Sequence, residues 1–482
     1  MKVCNELKPK KVFEYFEDIC SIPHGSKNTK AISDYCVAFA KEHGLKYIQD
    51  EMNNVIIFKE GSAGYEASEP IIIQGHMDMV CEKENGVDID FEKDGLRLFV
   101  DGDFLKADGT TLGGDDGIAI AYAFAILDDD TLAHPPLEVV ITVDEEIGML
   151  GAEGIDLSML KGKKLLNIDS DEEGVFLTSC AGGLTAECEL PVTRKSTEGM
   201  EYELKITGLQ GGHSGSEIHK EHGNAIMLIG RLLKQLADQI DFSVVSLTGG
   251  LKDNAIPRET ICTILMNEAL ETELQELVKE YDADLKKEYH ISDPDVSVLC
   301  TKKENLSVDA LDRTSFAKVL FMLRNLPCGV QNMSMDIPGL VETSLNAGIM
   351  TLSEDTFSLS FSVRSSVTSR KYEVTDRLCF VTEFLGGSVN ISGDYPAWEY
   401  KADSKMRDLM VQTYRDLFQE EPKIQAIHAG LECGIFSGKI DGLDCISFGP
   451  ANFDIHTPKE RLSISSTEKV WNLIVEFLKR SK

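Results

Sequence analysis

Three short apolar runs, at residues 69–75, 137–144 and 164–169, each close on a polar cluster: Gly75-His76-Met77-Asp78, Asp144-Glu145-Glu146 and Asp169-Ser170-Asp171. Runs of this length alternating with helical periodicity at about 9–22, 30–43 and 117–128 predict a mostly parallel sheet flanked by helices. A further strand is expected at 54–59 and a short helical turn near 155–160. Open sheets of this α/β class bind ligands beyond the carboxyl ends of their strands, which is where the three clusters fall.

From about residue 186 the texture changes to longer strands followed by amphipathic helices, the pattern of an α+β unit. Helices are expected at 223–238, 271–290, 311–326 and 369–385, and strands at 200–208, 242–248, 259–266, 341–352 and 356–364, as two similar halves side by side. After residue 387 the α/β texture returns, with helices at 403–418 and 466–480. The expected organisation is therefore a discontinuous first domain, residues 1–185 and 391–482, interrupted by an insertion at 186–390. A chain of 482 residues is long enough for two or three cores.

With 81 acidic against 48 basic residues the formal charge is -33, which repels phosphate backbones and anionic lipid surfaces; no nucleic acid and no membrane partner is expected. The first twenty residues hold no apolar run long enough for a signal peptide or a membrane span, so a cytoplasmic location is expected. Twelve cysteines are scattered without a CxxC pair, which fits reduced core residues rather than a zinc ribbon or a disulfide framework.

His76 and Asp78 form an H-x-D pair in which the imidazole can bind a metal and the carboxylate fix its tautomer. In isolation such a pair more often satisfies loop backbone groups. Gly113-Gly114-Asp115-Asp116-Gly117 puts two acids in a glycine-flanked turn before a helix. Asp116 is expected to cap that helix, leaving Asp115 to bridge two cations. Glu145 and Glu146 diverge after their strand, so that one can hold metal while the other handles protons. With His456 the ligand count closes: His76 and Asp169 on one ion, Glu146 and His456 on the other, Asp115 shared. Three protein ligands per ion leave room for water, as in catalytic zinc sites, and the nitrogen and oxygen donors also admit cobalt or manganese. There is no HExxH, P-loop or GxGxxG signature, and His213-Ser214-Gly215 lacks the second glycine spacing of a serine nucleophile elbow.

GHMDMVCEK at 75–83, TTLGGDDGI at 110–118, DEEIGMLGA at 144–152 and NIDSDEEG at 167–174 resemble the zinc exopeptidase clan of aminoacylases, carboxypeptidases and tripeptidases. GGHSGSEIH at 211–219, DNAIPRE at 253–259, HAGLECG at 428–434 and FGPANFDIHTPKERL at 448–462 extend the likeness, which is greatest to the aminoacyl-histidine dipeptidases. The resemblance implies a two-zinc catalytic domain with an inserted lid and a cis Asp115–Asp116 bond. His76, Asp115, Glu146, Asp169 and His456 correspond to ligands, Asp78 to their orienting partner and Glu145 to the general base. It further implies that His213 donates to the oxyanion and that Asn254, Arg364 and Glu432 meet the substrate, Arg364 at its carboxylate and Glu432 at its amine. The expected substrate is a small peptide such as β-alanyl-histidine, with a tripeptide or an N-acyl amino acid as alternatives. A non-catalytic, metal-dependent peptide-binding protein is the rival of another class, and monomer and homodimer both remain open.

Overall fold

The structure is a computed structural model that describes residues 3–482. It divides into two compact units, one comprising the chain up to Cys180 with Tyr400–Ala426 and Leu431–Lys482, the other Ala181–Glu399 with Ile427–Gly430.

The first unit is built on an eight-stranded sheet in the order 46–49, 55–59, 137–142, 71–76, 164–167, 444–447, 175–180, 423–427. Its four central strands, Leu137–Thr142, Ile71–His76, Lys164–Asn167 and Asp444–Ser447, run parallel. Antiparallel pairs flank them, so the sheet is mixed, with its parallel part in the middle. Central parallel strands are covered on both faces, which is why 71–76 and 137–142 are buried at every position. Over them lies the helix Gly114–Leu127, whose residues from Gly117 onward are all buried. Alternating alanines let it approach closely, and Phe124 stacks on Phe39 with ring centroids 3.9 Å apart. Gly75 is required at this approach, since a Cβ there would stand 2.4 Å from Cβ of Ala119 and 2.5 Å from Oδ2 of Asp116.

The second unit carries a nine-stranded sheet, with seven of its neighbours along the path 297–311, 194–207, 260–266, 242–249, 341–352, 356–365, 182–191, 388–395 paired antiparallel. Helices Ala225–Ala237, Glu271–Glu288, Arg313–Asn325 and Thr368–Phe384 join its apolar core. Asn224 and Asp312 cap the first and third of these by accepting backbone N–H groups. The sheet runs without a break through the whole unit. The turn expected near 155–160 is present, the N–H of Leu160 donating to the carbonyl of Leu157 at 3.0 Å, and a short helix, Leu150–Gly154, precedes it.

Among the described residues no two cysteines are joined in a disulfide. Among the described residues no helix is long and apolar enough to cross a membrane.

Candidate metal centre

The carboxyl ends of the parallel strands bring the expected ligands together. His76 closes its strand and Asp169 lies two residues beyond Lys164–Asn167. Glu146 follows Leu137–Thr142 through a turn in which Asp144 takes a left-handed φ of 54°. His456, also left-handed at φ 61°, sits in the loop between the short strands Asn452–Phe453 and Arg461–Ser463. Asp115 lies between the two histidines: its Oδ1 is 3.2 Å from Nε2 of His76 and its Oδ2 is 3.1 Å from Nε2 of His456. Nε2 of His76 is also 3.7 Å from Oδ1 of Asp169, and Nε2 of His456 is 3.1 Å from Oε1 of Glu146.

These spacings suit metal coordination. Donor atoms about 2.0–2.2 Å from a tetrahedral zinc stand about 3.3–3.6 Å from one another. Two groups, His76 with Asp115 and Glu146, and His76 with Asp116 and Asp169, each offer three ligand atoms within 4.8 Å of one another. Oε1 of Glu146 is buried without a hydrogen-bond partner despite its nearness to His456, an orphan acceptor of the kind a cation would satisfy. Among the described residues no lysine or arginine pairs with Asp115, Asp116, Glu145, Glu146 or Asp169. The positive charge falls to the histidines. Asp115 and Glu146 hold the His456 imidazole up at about 10. Burial opposes the same change at His76, but Asp115, Asp169 and Asp78 outweigh it and push that imidazole well up. A buried cluster so rich in carboxylates fits two divalent cations.

Two details differ from the sequence reading. Nδ1 of His76 donates to the main-chain oxygen of Asp78 at 2.9 Å, whereas the Asp78 carboxylate stands at 3.6 Å. That carboxylate instead accepts the N–H of Glu145 at 3.0 Å, the N–H of Glu146 at 3.4 Å and the hydroxyl of Ser26 at 2.9 Å. It orients the turn bearing Glu145, while the carbonyl fixes the tautomer that leaves Nε2 of His76 free for metal. Asp116 forms no cap: the backbone at Asp115 and Asp116 is non-helical, with ψ of 105° and 30°, and Oδ2 of Asp116 accepts the N–H of His76 at 3.2 Å. The Asp115–Asp116 peptide bond is cis. Burial pushes the Glu145 carboxyl well up, with His76 opposing and Asp169, Glu432 and Glu146 adding to it.

Glu460 carries no signal in the sequence beyond its place in a motif, yet it anchors the site. Buried, it accepts the backbone N–H groups of Leu112, Gly113, Gly114 and Asp115 at 2.7, 3.1, 2.9 and 3.3 Å. Glu432 is 0% exposed, and its Oε2 accepts from Gln74 and Thr142.

The second unit gathers the remaining candidates. Nδ1 of His213 accepts the backbone N–H of Ser216 at 3.1 Å and faces that of Gly215 at 3.3 Å, which leaves its proton on Nε2. Burial and then Arg364 lower the His213 pKa, so the ring is neutral. Asn254, exposed, accepts the N–H of Ser214 on its main-chain oxygen at 2.8 Å. Arg364 donates from Nη1 to the hydroxyl of Tyr395 at 3.2 Å, and its Nε is buried without a partner. His428 was not singled out from sequence. Its Nε2 lies 2.8 Å from Oγ of Ser344, and burial, then Arg364 and His213, bring its pKa down from 6.5 to about 3.

That shift has a stability consequence of definite sign. Above pH 6.5 His428 is neutral whether the chain is folded or not; between 6.5 and about 3 only the unfolded chain takes the proton. Stability is therefore lost as pH falls through that window, by up to about 1.4 kcal/mol per pH unit from this one group. Urea unfolding of His428→Gln between pH 6 and 4 should show a shallower loss than the parent chain. Equal slopes would mean that His428 charges freely in the folded state.

Residues 72–480 match the family described as Peptidase family M20/M25/M40. The chain is 38% identical over 483 residues to the cytosol non-specific dipeptidase of Escherichia coli (strain K12), covering 99% of each. It superposes on the crystal structure of aminoacylhistidine dipeptidase from Vibrio alginolyticus with a TM-score of 0.93 at 36% identity, covering 99% of this chain and 98% of that one. An aminopeptidase from Bacillus cereus, at 13% identity, TM-score 0.57 and coverage of 98% and 99%, shares the fold. A match across most of its length, with a full-length relative well above chance identity, places this chain in the M20/M25/M40 peptidase family.

Proposed function

We propose that the chain is a metal-dependent dipeptidase that hydrolyses short peptides, aminoacyl-histidine dipeptides such as β-alanyl-histidine among them. The observation that carries this reading is Asp115 held between His76 and His456, with Glu145 beside the ligand Glu146. His76 and Asp169 would hold one ion, Glu146 and His456 the other, and Asp115 both. The ions, zinc with cobalt or manganese as substitutes, would polarise the scissile carbonyl and make water acidic enough to be deprotonated near neutral pH.

Glu145 is the general base: it takes a proton from the attacking water and returns it to the leaving amine, so one carboxylate serves both steps. Asp78 keeps it in place through the Glu145 N–H. His213, neutral and protonated at Nε2, is suited to donate to the oxyanion that develops on the carbonyl. Arg364, with an unpartnered Nε, is assigned to the substrate's carboxylate and Asn254 to the peptide backbone.

The names of the relatives support a dipeptidase and differ on selectivity, one being termed non-specific and the other aminoacylhistidine. Hydrolysis of β-alanyl-histidine, glycyl-histidine, alanyl-leucine, triglycine and an N-acetyl amino acid by the zinc-loaded protein tests both points. The dipeptides should be cleaved and the last two spared. Turnover confined to the tripeptide or the N-acyl compound would move the assignment to those activities, and tight binding without hydrolysis would make the chain a peptide-binding protein.

A further inference from the structure

Beneath the metal centre, at the carboxyl ends of the central strands, the apolar sheet is interrupted by a row of polar side chains. Gln74, Asn167 and Ser447 stand in register on three adjacent parallel strands, and Thr142 stands on a fourth, opposite His76. All four are at most 1% exposed. Three of them join in hydrogen bonds that run in one direction, while Oγ of Ser447 has no partner: Nδ2 of Asn167 donates to Oε1 of Gln74 at 2.6 Å, Nε2 of Gln74 donates to Oε2 of Glu432, and Oγ1 of Thr142 donates to the same oxygen at 2.8 Å. Glu432 comes from the helix Glu432–Lys439 and is the one acceptor on which the row ends.

Gln74 precedes His76 by two residues, so their side chains lie on the same face of one strand. Asn167 likewise precedes Asp169 by two and its amide interacts with the Asp169 carboxyl. A shift in either amide is thus passed to a ligand one step along the chain. We infer that Glu432 is a positioning residue, which by fixing Gln74 and through it Asn167 sets where His76 and Asp169 present their donor atoms. This role rests on the metal reading above, and the complete burial of Glu432 favours it over contact with the peptide's amine. Among the described residues no lysine or arginine pairs with Glu432, and burial raises its carboxyl to about 7. An unpaired buried acid is costly, and its retention under a ligand pair is accounted for if it organises them.

The test reads metal affinity rather than turnover. Zinc competition with a chromophoric chelator should show Glu432→Ala binding about 10–100-fold more weakly, as removal of groups supporting metal ligands typically does. The visible spectrum of the cobalt-loaded protein should shift with it. Glu432→Gln, which keeps an oxygen acceptor and loses the charge, should recover most of the affinity. Gln74→Met cuts the same link from the other side and should weaken zinc as well, which covers the case of an alanine variant that does not fold. Unchanged zinc affinity and cobalt spectrum in Glu432→Ala or Gln74→Met would overturn the positioning role, as would a glutamine variant no better than alanine. A parent chain that takes up no zinc would overturn the metal reading and this one together.

Discussion

Glu145→Gln should retain two metal ions and lose turnover by about 10³–10⁴-fold, the upper range of what a single positioned general base contributes. The substitution is close to isosteric and leaves the Glu145 N–H, which the Asp78 carboxylate accepts at 3.0 Å, untouched. The turn is also held by its own backbone, with the N–H groups of Gly148 and Met149 donating to the Glu145 carbonyl at 2.9 and 2.8 Å. What changes is a side chain near the ligands that is not assigned to a cation and can carry a proton from water to amine. Metal content and kcat measured on the same preparation separate the two functions of the Glu145-Glu146 pair. Turnover near that of the parent would remove Glu145 from the mechanism, whereas loss of metal would mean that it belongs among the ligands.

His76, Glu145, Glu146 and Asp169 were legible because each ends or follows an apolar run of strand length. Runs such as Ile71-Ile72-Ile73 and Val139-Val140-Ile141 pointed to interior strands, and the parallel pairing of those strands brings His76 and Glu145-Glu146 out on the same rim. His456 was legible only by its motif, since nothing local in Asp454-Ile455-His456 fixes the left-handed backbone that turns the ring inward. What the sequence hid were the partners of those residues. Gln74, Thr142 and Asn167 read as neutral interruptions of apolar strands, and only register aligns them over Glu432. Asp116 looked like a cap because acids before helices usually are, yet its carboxylate reaches the neighbouring strand at His76. In the second unit the long strand Ser297–Leu311 went unseen because it is an edge strand, and its exposed run Thr301-Lys302-Lys303-Glu304-Asn305 carries the charges that keep such edges from pairing further.

The loop that supplies His456 also supplies the anchor for Asp115, and removing that anchor should be the most damaging single change in the first unit. Within four residues of His456, Glu460 turns both carboxylate oxygens onto four consecutive N–H groups of the 112–115 segment, and Oε1 also accepts Nδ2 of Asn452 at 3.0 Å. Gly113, left-handed at φ 70°, and Gly114, where a Cβ would stand 2.8 Å from Nδ2 of Asn452, let the backbone fold around that carboxylate. Glu460→Ala strands five donors in a buried place, and with a buried unpaired donor costing about 1–3 kcal/mol the loss should reach at least about 3 kcal/mol even after partial relaxation. Because the segment ends at Asp115, both cation positions should suffer at once. Urea unfolding should show the lowered midpoint, and chelator competition should show weaker uptake of both zinc ions rather than of one. A variant that unfolds at the parent's midpoint, or that keeps one ion at full affinity, would mean that the four amides find other acceptors and that Asp115 is held by the histidines alone.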